Sequence, residues 1–190
     1  ASRMALPFAR FDQGKVHKLL TEMYPGAKRD LLYQVKRLVS LGKAYGYGYH
    51  SGRQYPLEAA TEESWHYLLA RHALDIDTED ETEAIDMADN VLWENNQQTE
   101  VIDYDDQVYF PVIFNYRTPK YDFVGLDECM DLNNIQRIFV SKLLSKNSRL
   151  MAVGDKFQSI MNFRGANSDS MDLIQQEFDC KVLPLSITYR

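Results

Sequence analysis

Cysteine is scarce. Cys129 and Cys180 are the only two in 190 residues, too few for a disulfide framework or a cysteine-based zinc site. No apolar run reaches the roughly 18 residues a membrane helix needs. The opening Ala1-Ser2-Arg3-Met4 also lacks the apolar stretch of a secretion signal. Together these absences predict a chain without a membrane span, in a reducing, cytoplasmic setting. Six prolines and nine glycines exclude a low-complexity or collagen-like chain. What remains is of globular character, 45% hydrophobic and 26% charged. A chain of this size buries about 70% of its unfolded surface and needs no staple.

Charge of one sign is missing from the middle of the chain. Residues 1–50 carry nine Lys/Arg against three Asp/Glu, residues 51–110 two against sixteen, and residues 111–190 ten against nine. The net charge of −7 therefore hides a basic block followed by an acidic one. Such a division lets one face meet phosphates while the whole stays acidic. Solvated helix faces explain the same charges, so charge alone assigns no function.

The first half reads as helices. Val16, Leu19, Leu20 and Met23 follow helical spacing, and Pro25-Gly26 ends the segment. Leu31, Leu32, Val35, Leu38 and Val39 repeat it, with Lys28, Arg29, Lys36 and Arg37 near the polar side. Tyr45-Gly46-Tyr47-Gly48-Tyr49-His50-Ser51-Gly52 interrupts the pattern. Its tyrosines suit base stacking, although a packed turn is the plainer reading. A further helix is expected over Glu62–Ala73, burying Trp65, Leu68, Leu69 and His72. Thr78-x-x-Glu81 has the form of a capping box ahead of Ile85, Ala88, Val91 and Leu92. The acidic run from Asp75 to Asp89 reads as a solvated face with favourable charges at a helix start.

The second half changes period. Phe123-Val124-Gly125-Leu126 predicts a buried strand, and Ile135, Ile138, Phe139, Lys142 and Leu143 a helix. Leu150-Met151-Ala152-Val153 predicts a second strand, Ser168–Phe178 a second helix, and Val182-Leu183-Pro184-Leu185 a third strand. This alternation is the arithmetic of parallel βαβ crossovers, whose ligands gather at the carboxyl ends of the strands. Between the halves, residues 102–111 read either as a strand or, through Asp103 and Asp106, as a helix start; Pro111 argues against a central strand.

Asp127-Glu128 follows the first apolar run. Two carboxylates at a strand end suit nucleotide hydrolysis, one holding a hydrated Mg²⁺ and the other polarising water. Alone, such a pair is common after an apolar run and reads better as acids at a helix start. It is followed by Val153-Gly154-Asp155-Lys156-Phe157-Gln158-Ser159-Ile160-Met161-Asn162-Phe163-Arg164-Gly165-Ala166 and then by Ile187-Thr188-Tyr189-Arg190. In this order the segments resemble motifs II, III and IV of superfamily 1 DNA helicases of the UvrD/Rep/PcrA type. Ile102-Asp103-Tyr104-Asp105-Asp106 is similar to the acidic segment ahead of motif II in that family. The resemblance covers residues 101–190 well and the earlier residues thinly.

The resemblance implies an α/β fold: residues 101–190 as the C-terminal half of a RecA-like P-loop NTPase core with a parallel sheet, and residues 1–100 as a mainly helical, 1B-like insertion. It implies ATP and Mg²⁺ as cofactors, and single-stranded and duplex DNA as partners. Asp127 matches the residue that holds Mg²⁺ on the nucleotide, and Glu128 the one that activates water. Gln158 matches the γ-phosphate sensor, Arg190 the arginine that offsets transition-state charge, and Tyr189 the tyrosine near the adenine. Phe163 matches the aromatic on which a base stacks, with Met161 and Asn162 beside it on the DNA-binding segment. Gln158 and Phe163 lie close enough in sequence to couple phosphate state to base grip.

The chain departs from the family at three points. Met161 replaces the usual tyrosine, Met130 replaces the usual glutamine of motif II, and no G-x-x-x-x-G-K-[ST] phosphate loop occurs. The expected protein is therefore a piece of an ATP-dependent helicase moving 3′ to 5′ on single strands, inactive alone. Two alternatives are a non-hydrolytic DNA-binding or interaction module and the motor part of a helicase–nuclease. Cys129 is expected behind the site, and the four histidines take no role.

Overall fold

Pro25-Gly26 and the Tyr-Gly repeat divide the first hundred residues into short helices, and their apolar stripes set how these pack. The computed structural model describes residues 9–48, 59–155 and 169–184. A short strand β1 (Arg10–Phe11) leads into α1 (Lys15–Met23), α2 (Arg29–Tyr45), α3 (Glu62–His72) and α4 (Glu81–Gln97). Strand β2 (Val101–Ile102) then pairs in parallel with β1, Arg10 opposite Val101 and Phe11 opposite Ile102. Helix α5 (Asp106–Ile113) follows. Next come β3 (Tyr121–Leu126), α6 (Asn134–Leu143), β4 (Leu144–Ala152) and α7 (Ser170–Glu177). Strands β3 and β4 are parallel neighbours, with Val124 opposite Leu150 and Leu126 opposite Ala152. The fold is thus mixed α/β with two short parallel sheets among the described residues.

One hydrophobic cluster runs from Val16 in α1 to Ile135 in α6. The stripes Val16, Leu19, Leu20 and Leu31, Leu32, Val35, Leu38, Val39 are buried as their spacing requires. Each fully buried Leu or Val contributes about 1.5–3 kcal/mol. Met23, at the frayed end of its stripe, stays exposed. Trp65 packs edge-on against Tyr47 with ring centroids 5.2 Å apart. Gly42 is obligatory beneath it, because a Cβ there would lie 2.5 Å from the Trp65 ring. Gly46 ends α2 in the left-handed conformation (φ 83°), a cap that favours glycine. Tyr47 is fully buried, so the packed-turn reading holds at this end of the repeat; Tyr49–Gly52 lie outside the described residues.

Four expectations change. Thr78 does not cap α4. The helix starts at Glu81 behind Asp80, whose carboxylate is drawn away to Lys28 at 2.8 Å. Reciprocal capping boxes form instead at Thr61–Ser64 and Asn133–Gln136. His72 is half-buried, its Nε2 3.1 Å from the Tyr45 hydroxyl. The run Phe123–Leu126 is a strand but not a buried one: Phe123 is 58% exposed, because β3 has only β4 beside it among the described residues. Residues 182–184 form no strand, and Val182 and Leu183 lie exposed. The ambiguous segment 102–111 contains both structures, a two-residue strand and then a helix with Pro111 inside it.

Candidate functional site

Parallel pairing brings the ends of β3 and β4 to one edge. The Val153 amide donates to the Leu126 carbonyl at 2.8 Å, and the Cys129 amide donates to the Val153 carbonyl at 3.0 Å. These two bonds zip the Asp127-Glu128 turn to the Val153-Gly154 turn. Gly154 is there for want of space: a Cβ would sit 3.0 Å from Cys129 Sγ, 3.1 Å from Met130 Sδ and 3.2 Å from the Cys129 amide nitrogen. Glu128 adopts the left-handed region (φ 48°, ψ 43°), which costs about 1–3 kcal/mol in a residue with a side chain. The turn compensates locally. The Glu128 amide donates to Asp127 Oδ1 at 3.0 Å, and a 3₁₀ turn, Cys129–Asp131, follows at once.

The consequence is a sorted turn, with Asp127 and Glu128 exposed and Cys129 and Met130 buried beneath them. Burial pushes the Cys129 thiol above its ordinary value, which makes it inert packing. Helix α7 is tied to the same turn through the Ser170 hydroxyl, which donates to the Leu132 carbonyl.

Asp127 and Glu128 open on a cleft of about 760 Å³. Its far wall is Lys36, Ser40 and Lys43 of α2, with Asp103 and Asp105 from the turn ahead of α5. That wall is built on a buried charge network. Lys43 Nζ reaches Asp103 Oδ2 and Asp106 Oδ1, each at 2.8 Å, and Asn95 Oδ1 at 3.2 Å. Lys15 Nζ reaches Asp106 Oδ2 at 2.9 Å and the carbonyls of Asn95 and Gln98 at 3.1 and 3.0 Å. It also lies 4.6 Å from the Phe110 ring centre.

Asp103 and Asp106 cap α5 reciprocally. The Asp106 amide donates to Asp103 Oδ1 at 2.8 Å, and the Asp103 amide donates to Asp106 Oδ2 at 3.2 Å. Burial works against the Lys43 charge, yet Asp106 and Asp103 outweigh it and raise its pKa. Burial likewise opposes ionisation of Asp106, yet Lys43 and Lys15 hold its carboxyl below the usual range. For Lys15 burial wins, and its pKa falls.

The family model of the UvrD/REP helicase N-terminal domain matches residues 12–179, most of the chain. The chain belongs to the UvrD/REP helicase family. It is similar to the ATP-dependent DNA helicase Rep of Buchnera aphidicola, 30% identical over 110 residues (53% of this chain, 16% of that protein). It is 32% identical over 99 residues to the ATP-dependent DNA helicase Rep of Escherichia coli (47% of this chain, 15% of that protein). It is 28% identical over 102 residues to the ATP-dependent DNA helicase PcrA of Staphylococcus aureus (49% of this chain, 14% of that protein). The matched stretch is thus about one-sixth of these relatives or less.

As a UvrD/REP family member, the chain places only part of its motif set within the described residues. Asp127 and Glu128 stand together, with Gly154 packed behind them and Asp155 leaving the neighbouring strand end. Gln158, Met161, Asn162, Phe163, Tyr189 and Arg190 lie outside the described residues. Met130, the departure within motif II, is buried against Gly154 as an apolar filler.

Sequence reasoning overlooked Lys15, Lys43 and Asn95. A signal for the lysines was present, because each continues a core stripe: Lys15 precedes Leu19 by one turn, and Lys43 follows Val39 by one turn. A lysine at such a position needs a buried counter-charge. The Asp103/Asp106 pair supplies it.

Proposed function

We propose that this chain is part of the first motor domain of an ATP-dependent superfamily 1 DNA helicase. Residues 101–190 would form the C-terminal half of its RecA-like core, and residues 1–100 a 1B-like helical insertion. The observation that carries the reading is the zipped edge of β3 and β4. It puts an exposed Asp-Glu pair and the start of the Gly154-Asp155 motif side by side at the carboxyl ends of parallel strands, with the Asp-Glu pair on a cleft of about 760 Å³.

The donor set fits a hydrated magnesium ion. Asp127 keeps one carboxylate oxygen on the Glu128 amide, and the other takes no hydrogen bond among the described residues. Mg²⁺, when bound with ATP, supplies charge neutralisation at the phosphates. Asp127 is the residue that would hold it. Glu128 accepts the proton of the attacking water, for which an exposed carboxylate beside the metal ligand is chemically apt. Gln158 orients that water and reads the γ-phosphate through its neutral amide. Arg190 offsets charge developing in the transition state, and Tyr189 packs near the adenine. Phe163 stacks a base of single-stranded DNA, with Met161 and Asn162 beside it on the segment joining Gln158 to Phe163. That short segment passes phosphate state to base grip, and strand movement 3′ to 5′ is the expected output.

The phosphate loop is not among these 190 residues, so the reading requires it from elsewhere in a longer protein. Glu128→Gln in a helicase containing this chain tests the assignment. ATP turnover should fall at least 100-fold while ATP binding stays within about twofold. Turnover at the unmodified rate removes Glu128 from the chemistry.

A further inference from the structure

A second cleft, of about 640 Å³, lies across the α2–α6 seam from the first. Consecutive residues divide between the two: Lys43 and Ala44 line the first and Tyr45 the second, while Ile135 and Gln136 line the first and Asn134 and Arg137 the second. Its volume falls within the roughly 300–1,000 Å³ of ligand sites. The lining has a particular chemistry. Tyr67 is half exposed and meets Tyr45 edge-on with ring centres 6.2 Å apart. The exposed Arg71 donates through Nε to the Tyr45 hydroxyl at 3.1 Å, which fixes the guanidinium beside the two rings.

Arg137 is the decisive residue. It is 94% buried (6% exposed), yet its charge is poorly answered. Nη2 donates to Asn134 Oδ1 at 3.2 Å, Nε donates to both Glu177 carboxylate oxygens at a long 3.4 Å, and Nη1 has no hydrogen-bond partner among the described residues. A guanidinium buried with one nitrogen unanswered leaves a positive potential in the cleft, which favours an anion beside it. Asn134 in turn donates to the Tyr45 carbonyl at 2.9 Å, so the arginine and the aromatic wall form one unit. Glu63 is the one carboxylate among the described lining residues.

We propose that this cleft is a subsite for single-stranded nucleic acid, with a phosphate attracted by Arg71 and Arg137 and a base stacked on Tyr67. An exposed arginine and a buried one on a cleft with the exposed Tyr67 ring match the alternation of phosphate and base along a single strand. Duplex, whose bases are stacked on one another, has no base to offer Tyr67. The choice of partner rests on the helicase reading; the position of the subsite does not.

Fluorescence anisotropy of a labelled oligothymidylate of about 15 nucleotides on the 190-residue chain tests the subsite, repeated over a salt series. Tyr67→Ala should weaken binding about 5- to 150-fold, the loss of one stacked base, and Tyr67→Phe should restore it. Arg71→Gln should reduce the salt slope by about 0.7, one phosphate contact on a single strand. Arg137→Gln repeats the test at the buried charge, while Tyr67 and Arg71 test the subsite without disturbing the core. Duplex of equal length should compete at least tenfold less well, and an oligouridylate arm separates RNA from DNA.

Unchanged affinity and slope in both Tyr67→Ala and Arg71→Gln overturn the subsite. So does equal competition by polyglutamate, which would make the cleft a site for acidic peptide. Phe163→Ala separates the two readings. Loss there with none at Tyr67 sinks the subsite and spares the motor assignment. Loss at Tyr67 with none at Phe163 upholds the subsite and removes Phe163 from base stacking.

Discussion

Gly154 and Glu128 show how single residues shape the candidate site. Gly154 sits against sulfur atoms and a backbone nitrogen at 3.0–3.2 Å from any added Cβ, and the backbone member of that group cannot swing away. Gly154→Ala should therefore cost about 1–3 kcal/mol through overpacking, read as a lower urea midpoint with unchanged slope. It should also loosen the two hydrogen bonds that hold Asp127 and Glu128 at the strand edge. A variant as stable as the parent chain would mean the turn is slack. Glu128 carries its left-handed backbone in the residue expected to handle water, so strain and chemistry coincide at one position.

Helices α1, α2, α4 and α5 are joined at the element scale by charge as well as by apolar packing. Lys15, Lys43, Asp103 and Asp106 are all buried and mutually paired. Removing one member strands another, so Lys43→Met should cost about 3–5 kcal/mol in chemical unfolding. A loss below 1 kcal/mol would show that water reaches the network. The pairing also sets a pH dependence. The folded-state carboxyl of Asp106 lies below its unfolded value of about 3.9, held there by Lys43 and Lys15 against its burial. Its stabilisation is complete above that value and drains as pH falls through the lower folded one. Urea midpoints of the parent chain should therefore decline as pH drops below about 4, and Lys43→Met should flatten that decline. An equally steep acid limb in the variant would assign it to other carboxylates.

At the scale of the whole molecule, the described residues form an α/β body in which one hydrophobic cluster extends from α1 to α6, the helix that connects the parallel strands β3 and β4. The 190-residue chain alone should show no DNA-stimulated ATPase, because the G-x-x-x-x-G-K-[ST] loop, whose amides and lysine grip phosphates, is absent from its sequence. Measured turnover above background would refute this and require another phosphate site.

Much of this body was legible beforehand. Helical spacing placed α1 and α2 through Val16–Leu20 and Leu31–Val39, and apolar runs placed β3 and β4, because periodicity reports the local face of an element. The motif order around Asp127 and Gly154 pointed to the family that the comparison bears out. The burial of β3 was misread: a run such as Phe123–Leu126 records an appetite for neighbours, whereas exposure depends on which neighbours are there. The Thr78 cap fails because residues 78–80 form a turn, the Asp80 amide donating to the Asp77 carbonyl at 2.8 Å, so the helix starts only at Glu81.

Local pattern thus specified α1, α2 and the β3 and β4 segments, which depend on residues within a turn or two of each other, and the order of motifs along the chain pointed to the family. The pairing of Lys43 with Asp103, the zip between Leu126 and Val153, and the unanswered guanidinium of Arg137 needed the folded chain. Each joins or isolates groups far apart in sequence, and the distance between such groups is set by packing rather than by spacing along the backbone.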